Sequence, residues 1–149
     1  MRTTPRHPPR KPDRPLRVPL SADESGVVLT PWDARGDVSV FRLAATQAPG
    51  DAGEQVRAAV ALAAAEGHAA LLLDLRNYRG LSPGMAARHE YVRLWAAAAE
   101  GRVRVGVVLR AEYIDPERFG IVVARNFGLE ADVFTEEESA VRWLREGVR

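Results

Sequence analysis

Residues 69–75 read Ala-Ala-Leu-Leu-Leu-Asp-Leu, and this run constrains the chain more than any other feature. A continuous apolar stretch of this length is too short for a buried helix and lacks the alternation of a half-solvated strand. It is the pattern of a parallel strand covered on both faces, and therefore the expected centre of a sheet. Such a strand needs helices above and below it, which the rest of the sequence must supply.

The flanking patterns do so. Residues 26–31 (GVVLTP) and 37–43 (DVSVFRL) are rich in β-branched and aromatic residues, and the turn-forming Trp32-Asp33-Ala34-Arg35-Gly36 between them predicts a hairpin. Asp51 with Glu54 predicts a capping box, Val56, Ala59, Val60 and Ala63 an apolar stripe, and Gly67 the end of a first helix. Ser82 and Pro83 predict the N-cap and first-turn proline of a second helix. Its packed side would carry Met85, His89, Val92, Trp95, Ala96 and Ala99, and Gly101 would end it. Residues 103–109 (VRVGVVL) read as the next strand, with Gly106 marking close backbone approach. Asp115 and Pro116 open a third helix that runs through Phe127 and closes at Gly128. After a short strand at 131–134, Thr135 with Glu138 predicts a capping box for a last helix ending near Gly147, with an acidic first turn and Arg145 complementing its dipole. Strands alternating with helices require right-handed crossovers. The predicted fold is α/β: a mixed, mostly parallel β-sheet with an N-terminal β-hairpin and flanking helices.

Residues 1–22 have a different composition. Arg2, Arg6, Arg10, Lys11, Arg14 and Arg17 against Asp13 give residues 1–17 a net charge of +5, which leaves −4 for the remainder. Pro5, Pro8, Pro9, Pro12, Pro15 and Pro19 are interspersed, and a segment of this kind cannot bury enough apolar surface to order itself. The division expected is a disordered Pro/Arg-rich tail over 1–22 and one domain over 23–149. A basic arm can hold nucleic acid or an anionic surface by releasing counterions. This arm has no aromatic residue for base stacking, which disfavours nucleic acid and favours a solubilising role. Of the 21 basic residues all but Lys11 are arginine, a bias that reads as a GC-rich coding preference rather than phosphate recognition.

The chain has no cysteine, which removes disulfides, thiolate metal sites and cysteine nucleophiles. Its first twenty residues lack the apolar segment of a secretory signal, and no stretch is long and apolar enough to cross a bilayer. A cytoplasmic protein that does not span a membrane is expected.

Asp74 ends the predicted central strand, where ligands bind in open α/β sheets. The placement is that of the phosphoacceptor in response-regulator receiver domains. A receiver also needs an acidic pair after its first strand and a lysine after its last; the only lysine is Lys11, so Asp74 reads better as an acceptor for loop N–H groups. His89 reads as a structural histidine, and without cysteine or a histidine pair at helical spacing no metal site is expected. Residues 78–84 lack the spacing of a dinucleotide fingerprint, no phosphate-binding P-loop occurs, and Leu81-Ser82-Pro83-Gly84 is not a nucleophile elbow. No catalytic residue and no cofactor is therefore assigned. Trp95 and Trp143 fall at helical spacing with apolar neighbours and read as core, while the turn leaves the burial of Trp32 open. What remains is a loop crest: Asp74, Arg76, Tyr78 and Arg79 after the central strand would adjoin Arg110, Glu112 and Tyr113 after the next. Arginine and tyrosine are typical binding anchors, and loops carried on a rigid sheet are typical binding sites.

The hairpin, LLLDLRNYRG at 71–80, VRVGVVL at 103–109 and ADVFTEEESAVRWL at 131–144 resemble, over residues 26–147, the SpoIIAA-like branch of the STAS (sulfate transporter and anti-sigma factor antagonist) fold. The resemblance implies a STAS-like domain that acts as a regulatory or ligand-binding module. In the anti-sigma antagonist branch a serine at the start of the second helix, within an Asp-Ser-Ser-Gly type motif, is phosphorylated by a partner kinase. Ser82 would hold that topological position as phosphoacceptor, although here it stands in Leu81-Ser82-Pro83-Gly84 without a paired serine. The function expected is a non-catalytic module whose crest contacts a protein partner or a small anionic or amphiphilic ligand; an oligomer is compatible with it. The alternatives are an enzyme built around Asp74 and Ser82, and a binder of anionic surfaces or nucleic acid through the basic tail.

Overall fold

A computed structural model describes residues 21–22 and 26–147 of the chain. The apolar run at 69–75 forms strand β4 (Ala70–Asp74), which is buried along its whole length. It lies within a sheet that, among the described residues, has six strands in sequence order. Before it come β1 (Ser21–Ala22), β2 (Val28–Pro31) and β3 (Ser39–Arg42); after it come β5 (Arg104–Val108) and β6 (Ala131–Phe134). The pairs β1–β2 and β2–β3 are antiparallel, and β3–β4, β4–β5 and β5–β6 are parallel. The mixed, mostly parallel sheet with an N-terminal hairpin is thus present. Ser21 and Ala22, placed by the sequence in the tail, pair with Leu29 and Val28, while the rest of the expected tail lies outside the described residues.

Helices α1 (Pro49–Glu66), α2 (Met85–Ala99) and α3 (Phe119–Asn126) connect the successive parallel strands and pack side by side on one face. A constant crossover hand, with strands added in one direction, requires that common face. Helix α4 (Glu137–Gly147) follows the last strand and covers the opposite face. Alternation along the strands feeds both layers. Leu71 and Leu73 point to the three helices, whereas Ala70, Leu72, Val38, Val40 and Val108 meet Ala140, Val141 and Leu144 of α4. Gly106 permits that second contact, since a Cβ there would stand 3.3 Å from the Leu144 side chain.

The ends of α1 and α3 follow the predicted glycines, α2 closes on Glu100 (φ 54°) just before Gly101, and the predicted N-caps are not used. Gly67 closes α1 with a φ of 79°, and Gly128 follows α3 with a φ of 83°. At the other end, α1 begins at Pro49, whose missing N–H suits the first turn, so Asp51 lies inside the helix and binds Gln55 at 3.0 Å. Glu54 pairs with Arg57 instead of returning to a cap. Ser82 does not cap α2: Gly84 continues the extended chain (φ −68°, ψ 173°) and the helix begins at Met85. Asp115 does accept the N–H groups of Glu117 (3.3 Å) and Phe119 (2.7 Å), but this holds a turn that precedes α3, which starts at Phe119. Likewise α4 begins at Glu137, one residue beyond the start that a Thr135 cap would give. Arg145 pairs with Asp33 and Asp37 in the hairpin turn, at 3.0 and 2.8 Å, so it ties α4 to the hairpin as well as sitting in its last turn.

Met85 and His89 leave the packed side expected of them. Met85 is 68% exposed, and His89 is exposed with its ring edge-on to Phe127 at 5.6 Å. Trp95 is half-buried and donates Nε1–H to the Gly53 carbonyl at 3.0 Å. Trp143 is half-buried on the α4 side, with the Arg104 guanidinium 3.6 Å above its ring. Among the described residues no helix is long and apolar enough to cross a membrane.

The packing of β4 between two layers has a direct consequence. Leu72 is 0% exposed on the α4 side, so Leu72→Ala is expected to cost about 2–5 kcal/mol through the cavity it opens. Equilibrium denaturation measures this; a loss below about 0.5 kcal/mol, the scale of an ordinary surface change, would contradict it.

Candidate functional site

The carboxyl ends of β3, β4 and β5 reach one edge of the sheet, and strand alternation divides the residues there between its two faces. Asp74 has the parity of Leu72 and points toward α4; Leu75 has the parity of Leu73 and points toward the three helices. The crest that looked like one surface in sequence is two sites.

On the α4 side lies an ionic cluster. Parallel register sets Arg42 beside Asp74, and Arg42 Nη1 donates to Asp74 Oδ2 at 2.8 Å and to Glu137 Oε2 at 2.6 Å. Arg76 grips Asp74 with two bonds, Nε to Oδ1 at 2.8 Å and Nη2 to Oδ2 at 3.0 Å, and also pairs with Glu137. The Arg76 backbone N–H donates to Asp74 Oδ1 at 3.2 Å, the loop contact that the sequence suggested. Trp32 completes the group, its Nε1–H reaching Glu137 Oε1 at 3.1 Å. Two guanidiniums thus face two carboxylates, and Glu137 occupies the first turn of α4, where the helix dipole favours negative charge. The arginine hydrogen bonds, led by those from Arg42, hold the Glu137 carboxyl below its ordinary range. Burial pushes Asp74 up, but the bonds from Arg76 and Arg42 outweigh it and the net direction is again down. Such a paired and neutral cluster fastens the hairpin turn, β3, β4 and α4 together. Arg79 donates to the Arg76 carbonyl at 2.6 Å, and Arg110 pairs with Glu112 at 2.6 Å.

On the other side the two crest tyrosines meet. The rings of Tyr78 and Tyr113 stand edge to face, 5.3 Å between centroids. Tyr78 Oη–H donates to the Leu81 carbonyl at 2.6 Å and Tyr113 Oη–H to the Gly80 carbonyl at 2.7 Å. Gly80 can only be glycine, since a Cβ there would collide with the Gln47 carbonyl oxygen. The Arg79 backbone N–H donates to the Thr46 carbonyl at 2.8 Å, so the loop after β4 is also fastened to the loop after β3.

Beneath these tyrosines a cavity of about 180 Å³ extends between the sheet and α1–α3. Leu73, Val105 and Val133 line it from the sheet, Val56 from α1, Val92 and Trp95 from α2, and Ile121 from α3. Its origin lies in the helices. Gly53 of α1 accepts the Tyr91 ring of α2 so closely that a Cβ would lie 2.8 Å from it, and Ala59, Ala63, Ala96 and Ala99 supply much of the remaining helical cover. Short side chains let helices approach each other while reaching little into the layer between helix and sheet. Ser82 lines the cavity from the exposed, extended segment before α2.

The structure therefore brings together Asp74 with Arg76, and Tyr78 with Tyr113, but it sends the two pairs to opposite faces. It also separates Asp74, facing α4, from Ser82 on the cavity side. Sequence reasoning missed Trp32, Arg42 and Glu137. The first two stand at a turn and at a strand end with no motif, and Glu137 read only as an acidic first-turn residue. Registering the hairpin on the central strand would have paired Arg42 with Asp74. The cavity-lining Arg88 and Tyr91 had no local signal. Among the described residues no group of three or more His, Asp or Glu is placed to hold a metal ion. Compared with protein-family models, with curated proteins and with solved structures, the chain matches none.

The depressed carboxyls make a pH prediction. A carboxyl whose folded pKa lies below its unfolded value stabilises the fold above the ordinary carboxylate range, about pH 4, and loses that contribution as the pH falls through its folded pKa. The double variant Asp74→Asn, Glu137→Gln is therefore expected to melt below the native protein at pH 7, with the gap closing toward pH 3. Melting curves across that range check this, and a gap independent of pH would show that the cluster contributes nothing through its charges.

Proposed function

We propose that this chain is a non-catalytic, STAS-like ligand-binding module that takes a small apolar or amphiphilic molecule into the cavity between its sheet and α1–α3. The observation that carries the reading is the cavity itself. It is lined almost wholly by apolar side chains, and its rim is built from segments that follow the carboxyl ends of β4 and β5, where ligands bind in this fold class. A buried apolar cavity of roughly 150 Å³ admits a benzene ring, so a space of about 180 Å³ suits a single ring or a short alkyl chain. On this reading Tyr78 and Tyr113 serve as rim residues, and Asp74, Arg76, Arg79 and Arg110 keep the crest rigid.

The electrostatics favour binding over catalysis. A general base working near neutral pH needs a raised carboxyl, whereas Asp74 is shifted down. Ser82 makes no hydrogen bond to a histidine or carboxylate among the described residues, and an activated serine nucleophile is held by such a base. The STAS-like part of the reading rests on the residues quoted for it: LLLDLRNYRG spans β4 and the loop bearing Tyr78, and ADVFTEEESAVRWL spans β6 and most of α4. The cysteine-free composition agrees with a cytoplasmic site of action.

Titration with 1-pentanol followed by amide NMR tests the proposal. Saturable shifts are expected at Val56, Val92 and Ala124, with the α4 residues Val141 and Leu144 unmoved. At a hundred times its Kd the alcohol should stabilise the fold by about 2.7 kcal/mol. Ala124→Leu, which fills part of the space, should weaken binding while the α4 signals report an intact fold. Shifts that do not saturate, or that centre on α4, would contradict the reading.

A further inference from the structure

The cavity is apolar, but the polar groups at its rim are not all engaged. Tyr78 and Tyr113 donate their hydroxyls to backbone carbonyls, and Trp95 donates its indole N–H to Gly53. The Asp115 carboxylate accepts two backbone N–H groups. Arg118 pairs with Asp132 and reaches the Val133 carbonyl at 3.2 Å. Among the described residues this leaves three lining side chains whose polar atoms have no protein partner: the hydroxyls of Ser82 and Tyr91 and the guanidinium of Arg88.

Arg88 differs from its neighbours in a further respect. On the same helix Arg93 is paired with Glu90, and on the neighbouring α1 Arg57 is paired with Glu54. Arg88 is half-buried and has no carboxylate within ion-pair distance among the described residues, although Asp115 lines the same cavity. Its stem is packed against α3, since a Cβ added at Gly120 would lie 3.8 Å from Arg88 Cδ. The charge is thus held at the cavity by packing and left without a counter-charge. An unpaired guanidinium held at that rim is poised for a bidentate carboxylate.

We infer that the cavity's ligand is a small monocarboxylate, with its single apolar ring or short chain in the cavity and its carboxylate on Arg88. The inference rests on the ligand-binding reading above and adds the head group to it. A phosphate fits less well, because it brings nearly two negative charges to a rim that offers one unpaired cation beside the Asp115 carboxylate.

Calorimetric titration of the full chain with pentanoate and with 1-pentanol, which match in carbon count and differ in the head, tests this. The native protein should prefer pentanoate, and Arg88→Gln should reduce the pentanoate-to-pentanol ratio of affinities by at least about tenfold, the scale of a lost charge-assisted hydrogen bond. The melting temperature of the variant establishes that it folds. Equal affinity for the two molecules in the native protein, or an unchanged ratio in Arg88→Gln, would overturn the carboxylate inference while leaving the cavity reading intact. Binding of neither molecule would overturn the cavity reading, and the carboxylate inference with it.

Discussion

The structure depends on one constraint: β4 carries side chains that water must not reach on either face. Leu71, Leu72 and Leu73 are each 0% exposed, and full burial of such a side chain is worth about 1.5–3 kcal/mol. Both faces must therefore be covered, and the chain covers them unequally. Helix α4 brings Val141 and Leu144 against the sheet, with Trp143 and Trp32 at the margin, and Gly106 makes room for Leu144. The other face is covered by three helices whose inner surfaces are rich in alanine, and the space they leave is the cavity. One face is filled and the other is hollow.

The same alternation decides the chemistry of the crest. Asp74 and Leu75 are adjacent in sequence, yet one enters the ionic cluster with Arg42, Arg76 and Glu137 while the other lines the cavity. Of the charged crest residues, Asp74 and Arg76 help to fix α4 and the hairpin to the sheet. Partly exposed arginine–carboxylate pairs are individually weak, but this group shares partners across four segments, so its effect is to fix geometry. The cavity rim inherits that rigidity through the Tyr78 and Tyr113 bonds to the loop at Gly80.

Much of this was legible in the sequence. The buried run at 69–75, the hairpin, the glycine stops and the parallel order follow from periodicity and turn chemistry, which act locally. Helix starts were misplaced because capping residues compete with their neighbours. Asp51 yields to Pro49, which needs no donor partner, and Ser82 yields to an extended chain that persists through Gly84. Met85 and His89 continue the stripe of Val92, Ala96 and Ala99, but the stripe loses its cover toward the start of α2. The cavity was not legible at all. It is a difference between the volume two layers enclose and the volume their side chains fill, and no single residue reports that difference.

Crystals of the protein held under xenon pressure would show whether one face of the sheet is hollow, because xenon enters apolar cavities without needing any particular head group. Ordered xenon is expected in the space bounded by Leu73, Val105 and Tyr91, and none between the sheet and α4. An empty cavity under pressure, or xenon lodged instead beneath α4, would contradict that expectation.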